Sequence, residues 1–193
     1  MLKERGLYDN TLLIYTSDHG SHFRTRNGEY KRTCHDGCTH IPLIIHGPGF
    51  TGGRTVDDMV SLLDLPATML AGGGVPVPAD LNSRPLQPLA SGHNADWDQT
   101  VYMQISESQV GRAVRTRRWK YAVSAPEKDG WLDAGADVYQ ESFQYDLESD
   151  PHEHNNLVRD PAYAAVRTEM RSLLLRKMAE AHETPPVIVG ADA

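Results

Sequence analysis

Tyr15 to Lys31 reads YTSDHGSHFRTRNGEYK and follows the apolar run TLLIY, so two acids, two histidines and three cations gather just past an apolar segment. Asp18 and His19 are both ligand types for a divalent cation, the carboxylate a hard oxygen donor and the imidazole a borderline nitrogen donor. Neighbours on an extended chain point to opposite faces, so both can meet one ion only where the chain turns, and Gly20 would supply that freedom. A capping aspartate beside a surface histidine is the plainer reading. Residues 21–40 carry Arg24, Arg26, Lys31 and Arg32 against Glu29 and Asp36, and five of the nine histidines lie between His19 and His46. On a chain of net charge -7, such a loop suits a small anionic ligand better than nucleic acid. Charge alone would equally describe a solvated loop.

The elements that must position these residues can be read from patterning. A chain of 193 residues has room for one domain, or one with a small appendage. TLLIYTS and PLIIHG read as short strands buried on both faces of a parallel-type sheet, which would put Asp18 and His19 where open α/β sheets bind ligands. VSLLDLPATMLAGGG reads as a helix, with Asp64 capping its first turn and Gly72 to Gly74 stopping it. A connector rich in Pro, Gly and Asn follows, as far as LASGHNADWDQ. TVYMQIS, GRAVRT, WKYAVS and VYQESFQYDL then resemble antiparallel strands. Asp160-Pro161 opens a last helix, whose Val166, Met170, Leu173, Leu174 and Met178 form a packing stripe. No apolar run approaches the roughly 18 residues of a membrane span, and MLKERGLYDN does not read as a signal peptide. A soluble chain without a membrane partner is expected, in a compartment the residues leave open. Cys34 and Cys38 make no disulfide framework.

Lys31 stands eleven residues before Pro42 in KRTCHDGCTHIPLII. With TSDHG before it, and AVRTRRWKYAV and YDLESDPHEHNNL after it, this resembles the sulfatase family of the alkaline phosphatase superfamily over nearly the whole chain. The resemblance implies an α/β fold: the C-terminal part of an alkaline-phosphatase-like mixed sheet sandwich, then a small antiparallel sheet with a C-terminal helix. Residues 1–95 would belong to the catalytic domain and 96–193 to a small α+β subdomain. Asp18 and His19 match the family's late pair of ligands for a divalent cation, usually calcium. Many members have Asn at the position of His19, and imidazole suits manganese or zinc better, with magnesium also open. Lys31 matches the lysine that holds a non-bridging sulfate oxygen. His35 would face the substrate, Asp36 would tie the loop to the sheet, and His22 and Arg24 could reach the substrate rim.

A sulfatase also needs a formylglycine made within C/S-x-P/A-x-R and two early aspartates, and neither cysteine here lies in that pattern. The chain is therefore expected to act on a small sulfate ester only together with an N-terminal portion of the same enzyme. Phosphonate monoester hydrolases of the superfamily carry a similar Asp-His pair and are the alternative. A reading of another class takes Cys34, His35, Cys38 and His40 as a structural zinc site, although their close spacing makes one ion hard to enclose. His40 and His46 are expected as hydrogen-bonded core histidines, and SDPHEHNNL as a turn leading to the last helix.

Overall fold

A computed structural model describes residues 1–50, 52–93 and 96–191. The chain falls into two compact units, one of Met1–Asp18 with Ile41–Gln99, the other of His19–His40 with Thr100–Ala193.

In the first unit β1 (Leu13–Thr16) pairs with β2 (Leu43–His46), Ile14 opposite Ile45 and Tyr15 opposite Ile44. The pairing is antiparallel, which corrects the parallel-type arrangement expected from the two apolar runs. Their composition reports burial and β-branching but carries no direction. Tyr15 and Ile44 also stand exposed, on one face of this pair. After the short α1 (Asp36–Thr39) of the other unit, helix α2 (Asp64–Gly72) begins later than its apolar pattern suggests, and Asp64 is not its cap. As the first helical residue, Asp64 turns its carboxylate back to accept from the Ser61 and Arg84 amides, at 3.0 and 3.2 Å. The stop is as expected, with Gly73 closing the helix and Gly74 in the left-handed region. The connector is anchored: Thr68 Oγ1 accepts from the Leu86 amide at 3.0 Å, and Gln87–Ala90 forms a further helical turn, α3.

The second unit is built on a five-stranded sheet in sequential order, β3 (Val101–Ile105), β4 (Gly111–Arg115), β5 (Trp119–Ser124), β6 (Val138–Asp146) and β7 (Val187–Val189). The first four pair antiparallel, as expected. The fifth pairs parallel to β6, so the sheet is mixed. A strand of three residues after two prolines gives too short a pattern to read in advance. Asp160 accepts from the Ala162 amide at 2.9 Å and starts the turn that leads into α4 (Ala164–Glu180). Met170, Leu174 and Met178 of its stripe are buried against Val110, Val114, Tyr121 and Tyr139, with Val166 and Leu173 at the margin. Burying such side chains stabilises by about 1.5–3 kcal/mol each. The loop 19–40 rests on the opposite face of the same sheet, where Cys34 packs with Ile105, Ala113 and Ala122.

Candidate functional site

The histidine-rich loop belongs to the second unit, and its chain path depends on one close approach. Gly20 donates its amide to the Cys38 carbonyl at 2.8 Å. A Cβ on Gly20 would lie 2.2 Å from the Gly37 carbonyl oxygen, closer than any carbon can come. Gly20 is thus needed for clearance and not for the turning freedom first read into it, since its φ is not in the left-handed range.

This closure places His19 beside Lys31. His19 Nδ1 lies 2.8 Å from the Gly20 carbonyl, and His19 Nε2 lies 3.0 Å from Lys31 Nζ. A carbonyl only accepts, so Nδ1 carries the proton and the Nε2 lone pair faces the ammonium. This neutral tautomer, fixed by a backbone carbonyl, is the one that ligates metals. Tyr30 sits against both groups, 5.9 Å from the His19 ring and 5.6 Å from Lys31 Nζ. Asp18 closes the first segment of the other unit with its side chain exposed, and Ser17 Oγ donates to it at 3.4 Å. Among the described residues no group of three His, Cys, Asp or Glu side chains is gathered to hold an ion.

The other loop histidines divide by burial. His22 is buried, with Nε2 3.3 Å from the Lys31 carbonyl, while Arg24 stands exposed. His35 is buried with its ring edge-on to Phe143 and Nε2 3.1 Å from the Tyr145 hydroxyl. Burial, with the Arg26 and Lys120 cations nearby, pushes His35 down to about 3, so the ring is neutral. Each keeps a buried Nδ1 with no hydrogen-bond partner. His40 is not the core histidine expected: its side chain is 77% exposed, 3.8 Å from Asp36. His46 is half-buried and stacks on Tyr8 at 4.5 Å. Both follow from a β-branched neighbourhood that says where a strand runs but not what covers it.

Cys34 and Cys38 are buried thiols, and burial pushes Cys34 up to about 12. Cys34 packs with Ile105, Ala113 and Ala122, while Cys38 accepts from Thr33 Oγ1 at 3.6 Å. A protonated thiol in an apolar cluster, an imidazole turned to a tyrosine and an exposed His40 do not converge as four zinc ligands would.

The residues that hold the loop were not legible in advance. Asp36 ties the loop to the sheet as expected, but through a network whose other members lie far along the chain. Lys120, fully buried on β5, donates to Asp36 Oδ1 at 2.6 Å and to Glu153 Oε1 at 2.5 Å. Arg115 adds a forked contact to Asp36 at 3.2 and 3.1 Å. Burial alone would raise the Asp36 carboxyl, yet these cations outweigh it and hold the group below its ordinary value. Glu153 also accepts from the Asp36 amide at 2.7 Å, and Arg26 donates to the carbonyls of Glu153 and His152 at 2.7 and 2.6 Å. SDPHEHNNL is therefore structural, as its turn chemistry implies, and Glu153 is its anchor.

The chain matches the model of the family described as N-sulphoglucosamine sulphohydrolase, C-terminal, over residues 28–180. The chain belongs to this sulfatase family. Bovine arylsulfatase K is 31% identical over 196 residues, covering 96% of this chain and 33% of that one. An N-acetylglucosamine-6-O-sulfatase of Bacteroides thetaiotaomicron is 29% identical, covering 90% and 31%. A structure solved with its substrate D-glucosamine-2-N,6-O-disulfate superposes with a TM-score of 0.78 at 28% identity, covering 95% and 37%. The phosphonate monoester hydrolase of Silicibacter pomeroyi superposes at 0.76 with 26% identity, covering 93% and 37%. The sulfatase chain described here thus spans about a third of the length of the relatives it matches. Among its described residues no helix is long and apolar enough to cross a membrane.

Proposed function

We propose that this chain supplies the sulfate-holding side of a sulfuric ester hydrolase, with residues 1–95 as part of the catalytic domain and 96–193 as its subdomain. The observation that carries the reading is Lys31 Nζ, 3.0 Å from the fixed lone pair of His19. An ammonium held there can donate to a non-bridging sulfate oxygen, where charge builds as the S–O bond breaks. His22 and His35 are proposed as substrate-facing residues on the family resemblance alone, since both rings are buried here and their Nδ1 atoms are not exposed. A neutral His35 would orient substrate and not donate a proton at neutral pH. Asp18 and His19 are the donors this chain offers a divalent ion, calcium first and manganese, magnesium or zinc next; the Nε2 lone pair that faces Lys31 here is the one that would turn to the ion. Such an ion would add positive charge against the sulfate oxygens. Two donors do not complete a coordination shell, so the remaining ligands are assigned outside residues 1–193.

A formylglycine supplies a nucleophile toward sulfur, and we place it outside these residues too, because neither cysteine has the required flanking pattern. Residues 1–193 alone should therefore show no turnover of a chromogenic sulfate ester. In the complete enzyme Lys31→Ala should lower kcat by about a hundred- to a thousandfold with little change in Tm. Near-normal turnover in that variant would remove Lys31 from the site. The likeness to a phosphonate monoester hydrolase keeps phosphonate esters as the second substrate class, and relative rates on the two ester types decide between them.

A further inference from the structure

The connection from β5 to β6 carries two large apolar side chains into solvent, Trp131 at 67% and Leu132 at 84% exposure. The turn that presents them is fixed. Asp129 Oδ1 accepts from the Trp131 amide at 2.8 Å, and Asp133 Oδ2 from the Asp129 amide at 3.0 Å. The Asp129 carbonyl accepts from the Leu132 and Asp133 amides, at 3.1 and 2.8 Å. The turn is also joined to the residue that follows Lys31. The Arg32 guanidinium lies 5.3 Å from the Trp131 ring centre, and it pairs with Glu29 and Glu107. Glu107 donates its amide to the Gly130 carbonyl at 2.8 Å, and Ser108 Oγ and Gln109 Nε2 donate to the Arg32 carbonyl at 3.1 and 3.3 Å. At Gly130 a Cβ would come 2.6 Å from the Glu107 carbonyl, so a side chain there would break this join. Arg32 itself is held with φ at 68°, a left-handed backbone that a non-glycine residue keeps only when its surroundings enforce it.

We propose that Trp131 is a specificity-determining residue, a platform on which the uncharged sugar ring of a sulfated monosaccharide stacks while its sulfate is held at Lys31. The inference rests on the sulfate-holding role proposed above. A rigid aromatic face on a turn joined to the loop that carries Lys31 is suited to the C–H face of a ring, and offers little conformational entropy to lose. A cationic alcohol such as choline is disfavoured because Arg32 already lies over the indole. A second anionic group is disfavoured because Asp129 and Asp133 form the base of the turn.

The test titrates the complete enzyme, its formylglycine precursor replaced by Ala to block turnover, and the corresponding variants with N-acetylglucosamine 6-sulfate and with ethyl sulfate, which has no ring, following the tryptophan indole N–H signals by NMR. The sugar sulfate should move the Trp131 signal, and Trp131→Ala should weaken its binding about tenfold while leaving ethyl sulfate within about twofold. Trp131→Phe should restore most of the loss. If Trp131→Ala binds the sugar sulfate as tightly as the parent, the platform is refuted and the sulfate site stands. If neither ligand binds, or if Lys31→Ala leaves ethyl sulfate binding unchanged, the sulfate site falls and the platform with it.

Discussion

Replacing Lys120 by Met should be the most damaging single change to the loop clamp. Its ammonium is fully buried between Asp36 and Glu153, at 2.6 and 2.5 Å. After the replacement Asp36 keeps Arg115 at 3.1 Å, whereas the buried Glu153 keeps no cation paired to its carboxylate among the described residues. Removing one partner of a buried pair costs about 3–5 kcal/mol, a large part of the 5–15 kcal/mol typical of a whole domain. With a urea m-value of about 2 kcal/mol/M, the unfolding midpoint should fall by about 2 M. The loss should also depend on pH in a particular direction. A stranded Glu153 holds its proton above the ordinary glutamate range, so the folded state binds more protons than the unfolded one and stability falls as pH rises. The Lys120→Met defect should accordingly be smaller at pH 5 than at pH 7, and Glu153→Gln added to it should recover part of the loss. Urea titrations of the parent, both single variants and the double variant at the two pH values supply the comparison. A midpoint shift under about 0.5 M, or no recovery in the double variant, would refute the reasoning.

Three further outcomes follow from the same geometry. His35 is neutral in the fold, with its value pushed down to about 3, whereas an unfolded histidine titrates near 6.5. Its contribution is therefore complete above about pH 6.5 and is lost as pH falls toward about 3, so His35→Phe should flatten the stability profile in that window, read by thermal unfolding across pH. The Cys34 thiol, pushed up to about 12 and fully buried, should resist a thiol-specific reagent at pH 8 until urea unfolds the chain; rapid labelling in the native state would show the loop open. Gly20→Ala should displace the loop, because its Cβ would meet the Gly37 carbonyl at 2.2 Å; an unshifted His19 ring signal by NMR would contradict that closeness.

Residue types alone determined the local elements of the second unit. The strands 101–105, 111–115, 119–124 and 138–146 lie within the runs read as strands, and α4 lies where its stripe repeats at helical spacing. Lys31 and His19 were singled out by the resemblance to sulfatases, whereas residue types alone left a solvated loop equally open. What the tertiary structure decided is of another kind. The antiparallel direction of β1 and β2, the parallel edge strand β7 and the burial of His35 are outcomes of what packs against each segment. The clamp joins Asp36 to Lys120 and Glu153 across 84 and 117 residues, a pairing that no local pattern encodes. A charged side chain reads as surface until its partners are known. Only the fold brings three such groups together out of water, where their mutual attraction offsets the cost of burying them.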